Sequence, residues 1–207
     1  MSKWIAVIVA ALALTMWGTS HNAVAQDQPT KKLMESLKAQ INGQKGLSAK
    51  AKAFAIKELL PLSTNAVFLK ETVAQNAKKM PLDEIKRIDE LWIKAESMLP
   101  IQQEKLNNVC AQEVKKIVKQ HPAILEAFVM DDQGGVVGEN NLTSDYWQGD
   151  EEKWTGSYND TKGGVDVGKE KFDKSANATL QQISLPLIAK GGKVIGAITW
   201  GVAVDRL

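Results

Sequence analysis

The chain is short of the residues that most often carry chemistry. Its 207 residues include one cysteine, Cys110, and two histidines, His21 and His121. A single cysteine closes no internal disulfide. Cys110 stands beside Val109 in a helical pattern that continues to Val114, where a thiol serves as a small buried hydrophobe; an intermolecular bridge is the other reading. His21 falls in a targeting segment at the N-terminus. That leaves His121 alone, which excludes a multi-histidine metal site. His121 precedes Pro122 at a helix-to-strand junction, a poor place for a Ser-His-Asp triad. Charge of one sign is also missing. Lys and Arg total 26 against 24 Asp and Glu, a net charge of +2, which gives no field to gather nucleic acid. Lys78-Lys79 and Lys115-Lys116 read as solvated helix faces. Long apolar runs are absent too, since the longest, Trp4 to Trp17, falls short of the roughly 20 residues a spanning helix needs.

That run has a purpose of its own. Lys3 precedes it, and Ala23-Val24-Ala25 comes after it as a small-x-small cleavage signature. Residues 1–25 therefore read as a secretory signal peptide, with Gln26 as the first mature residue and no cysteine after the cut for lipid attachment. The expected protein is exported, periplasmic and soluble.

From 26 to 120 the pattern is helical. Leu33, Leu37 and Ile41 step by four, and Ser48 is placed to cap a run from Ala49 to Leu60 that Pro61 ends or kinks. Ala66, Phe68, Leu69, Val73 and Ala77 continue it. Pro81 with Asp83 and Glu84 marks a new N-terminus, and Ile85, Ile88, Leu91, Trp92, Ala95 and Leu99 form a stripe that Pro100 breaks. A last helix is expected over 101–119. Narrow stripes on long polar helices suit antiparallel packing or a homodimer through this segment. The segment is expected to fold apart from the C-terminal part of the chain, or to dock on it through Trp92 and the Ile85/Ile88 stripe.

At His121-Pro122 the period changes. Leu125 to Met130 reads as a strand, Asp132-Gln133-Gly134-Gly135 as a turn and Val136-Val137 as the return. Val165 and Val167 suit a short edge strand. Thr179 to Ile188 alternates, with Pro186 pointing to an edge or a bulge. After a turn over 190–193 comes a long apolar strand, Val194 to Val204. It has bulk on one face and Ala197, Thr199, Gly201 and Ala203 on the other, which leaves room for a helix or a bound molecule. The fold class is α+β: a long helical segment, then an antiparallel sheet of about five strands with a helix inserted between the second and third. The expected units are 1–25, 26–120 and 121–207.

Ser144 to Tyr158 is the most distinctive stretch, with the aromatics Tyr146, Trp147, Trp154 and Tyr158 interleaved with acids. If it is helical, Trp147, Trp154 and Tyr158 fall on one face, because seven and eleven steps lie within about 20° of whole turns. Asp150 lies within about 60° of that stripe. The face either seals a core or lines a pocket.

The hairpin FVMDDQGGVVGEN, the stretch SDYWQGDEEKW and the pair QISLPLIAKGGKVIGAITWGV together resemble the PAS-like extracellular sensor domains called Cache or PDC domains, in their exported single-domain form. The resemblance covers 123–207. It implies a central antiparallel sheet with a small-molecule pocket on one face, covered by the stretch over 144–158. Carried over by position, Tyr146, Trp147 and Trp154 match the family's motif aromatics and Asp150 its acid, while Tyr158 is placed by helical geometry alone. Lys153 is the only base inside the motif. Gln182 is the candidate on the sheet for a ligand carbonyl or amide, with Gln181 the alternative if it faces inward.

The function expected is an exported module that senses or binds a small molecule and acts with a membrane receptor or signalling protein. The alternative is a structural or chaperone-like helical protein that uses the sensor fold as a docking platform. An enzyme would need a carboxylate pair. Asp131 and Asp132 are adjacent, so in a strand they face opposite ways, and a hairpin turn favours Asp there. Asp145 and Asp150 are the other pair. No catalysis and no cofactor is expected.

Overall fold

The computed structural model describes residues 27–173 and 177–207; the expected signal peptide lies outside them. The first helix, α1 (Gln28–Gly43), starts where Asp27 Oδ1 accepts the Thr30 N–H at 3.0 Å, with Pro29 in the first turn. The other oxygen of Asp27 accepts the Gly191 N–H at 2.6 Å, which ties the helix start to the last hairpin. Ser48 caps α2 (Ala49–Phe54) through the Ala51 N–H at 3.1 Å. Pro61 brings no N–H to the helix ladder. The chain answers by widening into a π turn over Ala55–Leu59 and tightening into a 3₁₀ turn over Leu60–Thr64.

Asn65 caps α3 (Ala66–Asn76), and α4 (Leu82–Ile93) comes after Pro81. The helix expected over 101–119 is two, α5 (Pro100–Asn107) and α6 (Val109–Gln120). Asn108 stops the first with an extended backbone and caps the second by accepting the Ala111 N–H at 2.9 Å.

The strands are β1 (Ile124–Met130), β2 (Val136–Glu139), β3 (Asp166–Val167), β4 (Lys171–Asp173), β5 (Ala178–Ala189) and β6 (Lys193–Ala203). Helix α7 (Glu152–Tyr158) sits between β2 and β3. All pairings are antiparallel, in the order β2-β1-β6-β5-β3, with β4 also on β5. Six strands replace the expected five, because Lys171–Asp173 lacks an apolar alternation to announce it. Pro186 lies just past Ser184, where the β3 pairing ends, and just before a bulge at Leu187/Ile188, so its missing N–H leaves no gap in that ladder.

Successive side chains of a strand face opposite ways, and the two faces of this sheet have different neighbours. Ala127, Val129, Ile183, Leu185, Ile198, Trp200 and Val202 form one core with Leu37, Ile41, Leu59, Phe68, Cys110, Val114 and Ile117 of the helices. Each such aliphatic burial contributes about 1.5–3 kcal/mol. The helical segment therefore shares its core with the sheet, and the expected boundary at 120/121 falls at a change of secondary structure. The stripes of α1 and α6 are spent on the chain's own sheet. Helix α4 docks through the expected stripe. Ile85 and Trp92 pack with Val136 and Tyr146, and Trp92 Nε1 donates to the Thr143 carbonyl at 3.0 Å. On the opposite sheet face Phe128, Met130 and Ala197 lie under Trp154 of α7.

Candidate functional site

The face beneath α7 is built from cross-strand rows. Glu126 of β1, Gly201 of β6 and Gln182 of β5 are in register; the next rows are Phe128, Thr199 and Ser184, then Met130, Ala197 and Pro186. The middle strand thus contributes the small residues expected of it. Thr199 and Ser184 are fully buried and hydrogen-bond each other at 2.9 Å. Glu126 lies flat across Gly201, where a Cβ would collide with Glu126 Cγ and come within 2.6 Å of its Oε1. Because nothing stands between them, Glu126 Oε1 accepts from Gln182 Nε2 at 2.9 Å across a whole strand.

A cavity of about 550 Å³ opens over this row. Glu126 and Gln182 supply its polar base, Leu180 and Phe172 an apolar side, and Lys169 and Lys171 two exposed ammonium groups. Two hydrogen bonds at Gly168 hold the loop above. The Gly168 N–H donates to the Gln182 carbonyl at 2.9 Å, and Gln181 Nε2 donates to the Gly168 carbonyl at 3.0 Å. Gln181 faces away from the cavity and also reaches the Gly46 carbonyl at 2.9 Å. One carboxylate beside two lysines suits a small molecule with a donor or cationic end and an anionic end.

Of the residues expected from the sequence, only Gln182 lines this cavity. The single stripe of Trp147, Trp154 and Tyr158 does not form, because α7 begins at Glu152 and the chain turns sharply before it. Gly149 packs against Gly134, whose φ of 87° needs glycine, and against the Trp147 indole. Trp147 instead bridges to Gly135, with its Nε1 donating to the Gln133 carbonyl at 2.8 Å and Lys86 Nζ 4.7 Å above its ring. Tyr146 is buried against Trp92, with ring centroids 5.7 Å apart. The backbone N–H groups of both Tyr146 and Trp147 are taken by Asp89 Oδ1 of α4, at 2.8 and 2.9 Å. These two aromatics fasten the β1–β2 turn to α4.

Asp150 is exposed on the turn ahead of α7 and does not share a face with the aromatics. Trp154 and Tyr158 do share one, stacked at 4.8 Å and 17°, and Trp154 Nε1 donates to the Asp131 carbonyl at 3.0 Å. They stand on the cavity's side of the sheet, two rows along. Burial, and then the charges of Asp132 and Asp131, hold the Tyr158 phenol above its usual range. Burial likewise raises the Asp166 carboxyl, with Glu152 adding to the effect. Lys153 is committed to Gln148 Oε1 at 3.0 Å and Glu151 Oε2 at 2.9 Å, with its ammonium 5.5 Å from the Phe128 ring centroid. Asp131 is a turn builder: Oδ1 accepts the N–H groups of Gln133 and Gly135, each at 2.9 Å.

Glu126, Lys169 and Lys171 were missed. For Glu126 the signal was there, a lone acid in the apolar strand ILEAFVM with a glycine on the small face of β6. The lysines carried none.

No protein-family model matches the sequence, nor does any curated protein. Among solved structures, the ligand-binding domain of the Campylobacter jejuni chemoreceptor Tlp3, bound to 4-methylisoleucine, is similar at 12% identity. The match covers 87% of this chain and 62% of that one, with a TM-score of 0.40. The sensor domain of the V. cholerae histidine kinase DctB is 12% identical over 85% of this chain and 59% of that one, with a TM-score of 0.45. The ligand-binding domain of the Pseudomonas aeruginosa PAO1 amino acid chemoreceptor PctC, in complex with GABA, is 8% identical over 68% of this chain and 59% of that one, with a TM-score of 0.33. The chain spans less than two thirds of the length of these domains. The likeness is distant.

Proposed function

We propose that this chain is an exported module that binds and senses a small molecule and passes the bound state to a membrane signalling partner. The observation that carries the reading is the row Glu126–Gly201–Gln182 at the base of a cavity of about 550 Å³. A carboxylate laid across a glycine to meet an amide is poor packing and good recognition, because both groups keep lone pairs or N–H donors for a ligand. The ligand presents a cationic or donor end to Glu126 and an anionic end to Lys169 and Lys171. Trp154 packs α7 on the same face of the sheet beyond the cavity, and the exposed Asp150 stays outside it. Export rests on residues 1–25. Among the described residues, no helix is long and apolar enough to cross a membrane.

The test is a melting screen of the purified protein against polar metabolites, followed by calorimetry on the hits. A ligand that binds only the folded state raises the melting temperature. Glu126→Gln removes a charge-assisted hydrogen bond and is expected to weaken binding about tenfold to a hundredfold. A hit whose affinity is unchanged by both Glu126→Gln and Gln182→Met would remove the ligand from this cavity. A screen without hits would count against sensing itself.

A further inference from the structure

The segment that runs into the roof of the Gln182 cavity lies at an edge of the sheet and is held there by glutamine side chains. Among the described residues β3 pairs only with β5, so its outer edge has no neighbouring strand. Two amides from the end of α1 take that place. The Val165 N–H donates to Gln40 Oε1, and Gln44 Nε2 donates to the Val165 carbonyl, each at 3.2 Å. Further along, the Gly168 N–H donates to the Gln182 carbonyl, and the Gly168 carbonyl accepts from Gln181 Nε2.

Gln181 is the unusual member of this set. It is 2% exposed and shares the core face of β5 with Ile183 and Leu185. Its Nε2 gives one N–H to the Gly168 carbonyl at 3.0 Å and the other to the Gly46 carbonyl at 2.9 Å, in the linker between α1 and α2. Its Oε1 is buried without a partner among the described residues. An unpaired buried acceptor costs free energy, and a methionine of similar length would fill the space without one. What the amide adds is a short planar link between two carbonyls from distant parts of the chain. Both donors sit on one nitrogen, so neither carbonyl moves away unless the amide turns or a bond breaks.

Each end of the link has somewhere to pass a displacement. Gly168 lines the cavity, and Lys169 and Lys171 follow it in the wall. Gly46 stands between Gln44, the C-cap of α1, and Ser48, the N-cap of α2, and Leu47 beside it is buried in the main core. We propose that Gln181 is a positioning residue that couples the cavity to the helical segment: a ligand that displaces Gly168 is read, through the Gln181 amide, at the linker over 44–48. This role rests on the cavity being the sensing site. The coupling itself needs no ligand to be measured, so a screen without hits and an absent coupling are separate results.

Residue-resolved hydrogen exchange on the full chain reads it. Gly168→Pro removes the N–H that ties the roof to Gln182. It should speed exchange of the Gln44 and Ala51 amides, which donate to the Ile41 carbonyl and Ser48 Oγ at the two borders of the linker, by about fivefold or more. Coupling is reciprocal, so Gly46→Val should speed exchange of the Gly168 amide by a similar factor. A Cβ at Gly46 meets only Gln181 Nε2, at 4.0 Å, so that variant should fold. In a Gln181→Met background, measured against Gln181→Met itself, both effects should vanish. A Gln181→Met protein that transmits either perturbation as the parent does would overturn the proposal, and so would unchanged exchange at the Gly168 amide in Gly46→Val.

Discussion

Glu139 makes the stability of this protein depend on pH in a direction that can be stated beforehand. It ends β2 inside the molecule, fully buried beneath the helices. Oε2 accepts the Thr143 N–H at 3.0 Å, while Oε1 has no partner. Burial pushes the carboxyl up to about 7 from 4.5; the Thr143 hydrogen bonds and the charge of Lys105 oppose this, and Asp145 adds to it. Between those two pH values the folded state holds the proton and the unfolded chain has released it, so stability falls as pH rises. The contribution is complete below 4.5 and lost above about 7. At about 1.36 kcal/mol per pH unit, the interval is worth about 3 kcal/mol, or roughly 6–12 °C in melting temperature for a chain of this size. Glu139→Gln removes the titration. Melting curves at intervals from pH 4.5 to 8 should show the parent losing ground to the variant across the range. Burial also raises Asp132 and Asp166, but both chains carry those groups, so their effect cancels in the difference. Parallel curves for parent and variant would show that Glu139 is ionised in the fold, and the burial argument would fail.

The packing sets two further outcomes. Gly201→Val places a side chain where Glu126 lies, so it should cost about 1–3 kcal/mol in overpacking and abolish ligand binding at the Gln182 cavity. A variant with the parent's urea midpoint and affinity would contradict the cross-strand row. The fragment 121–207 should show no cooperative melt, because Ile183, Leu185, Ile198 and Trp200 would lose the helical half of their core; a sharp calorimetric transition in that fragment would show a separable sheet.

Features legible in the sequence were local, and those that were not are set by contacts between segments distant along the chain. The β1–β2 hairpin was legible because Asp131 and Gly134 carry the turn in their own side-chain and φ requirements. The small face of β6 was legible because alternation is a property of one strand. The role of Trp147 was not. Helical period predicts a face only where the helix extends, and Gly149, pressed between Gly134 and the indole, ends that assumption three residues before α7 begins. Glu126 shows the same limit from the other side. Its acid was visible within an apolar strand, yet its meaning depends on register. Shifted by one residue, β1 would turn Glu126 toward the helices and bury its charge against the apolar face of α6, which carries Cys110, Val114 and Ile117. In the observed register Gly201 and Gln182 complete its row, and a charge costly in the core becomes the base of a cavity. The same choice of register puts Phe128 and Met130 beneath Trp154. The packing that holds α7 on the sheet and the polar row beside it are therefore two results of one strand alignment.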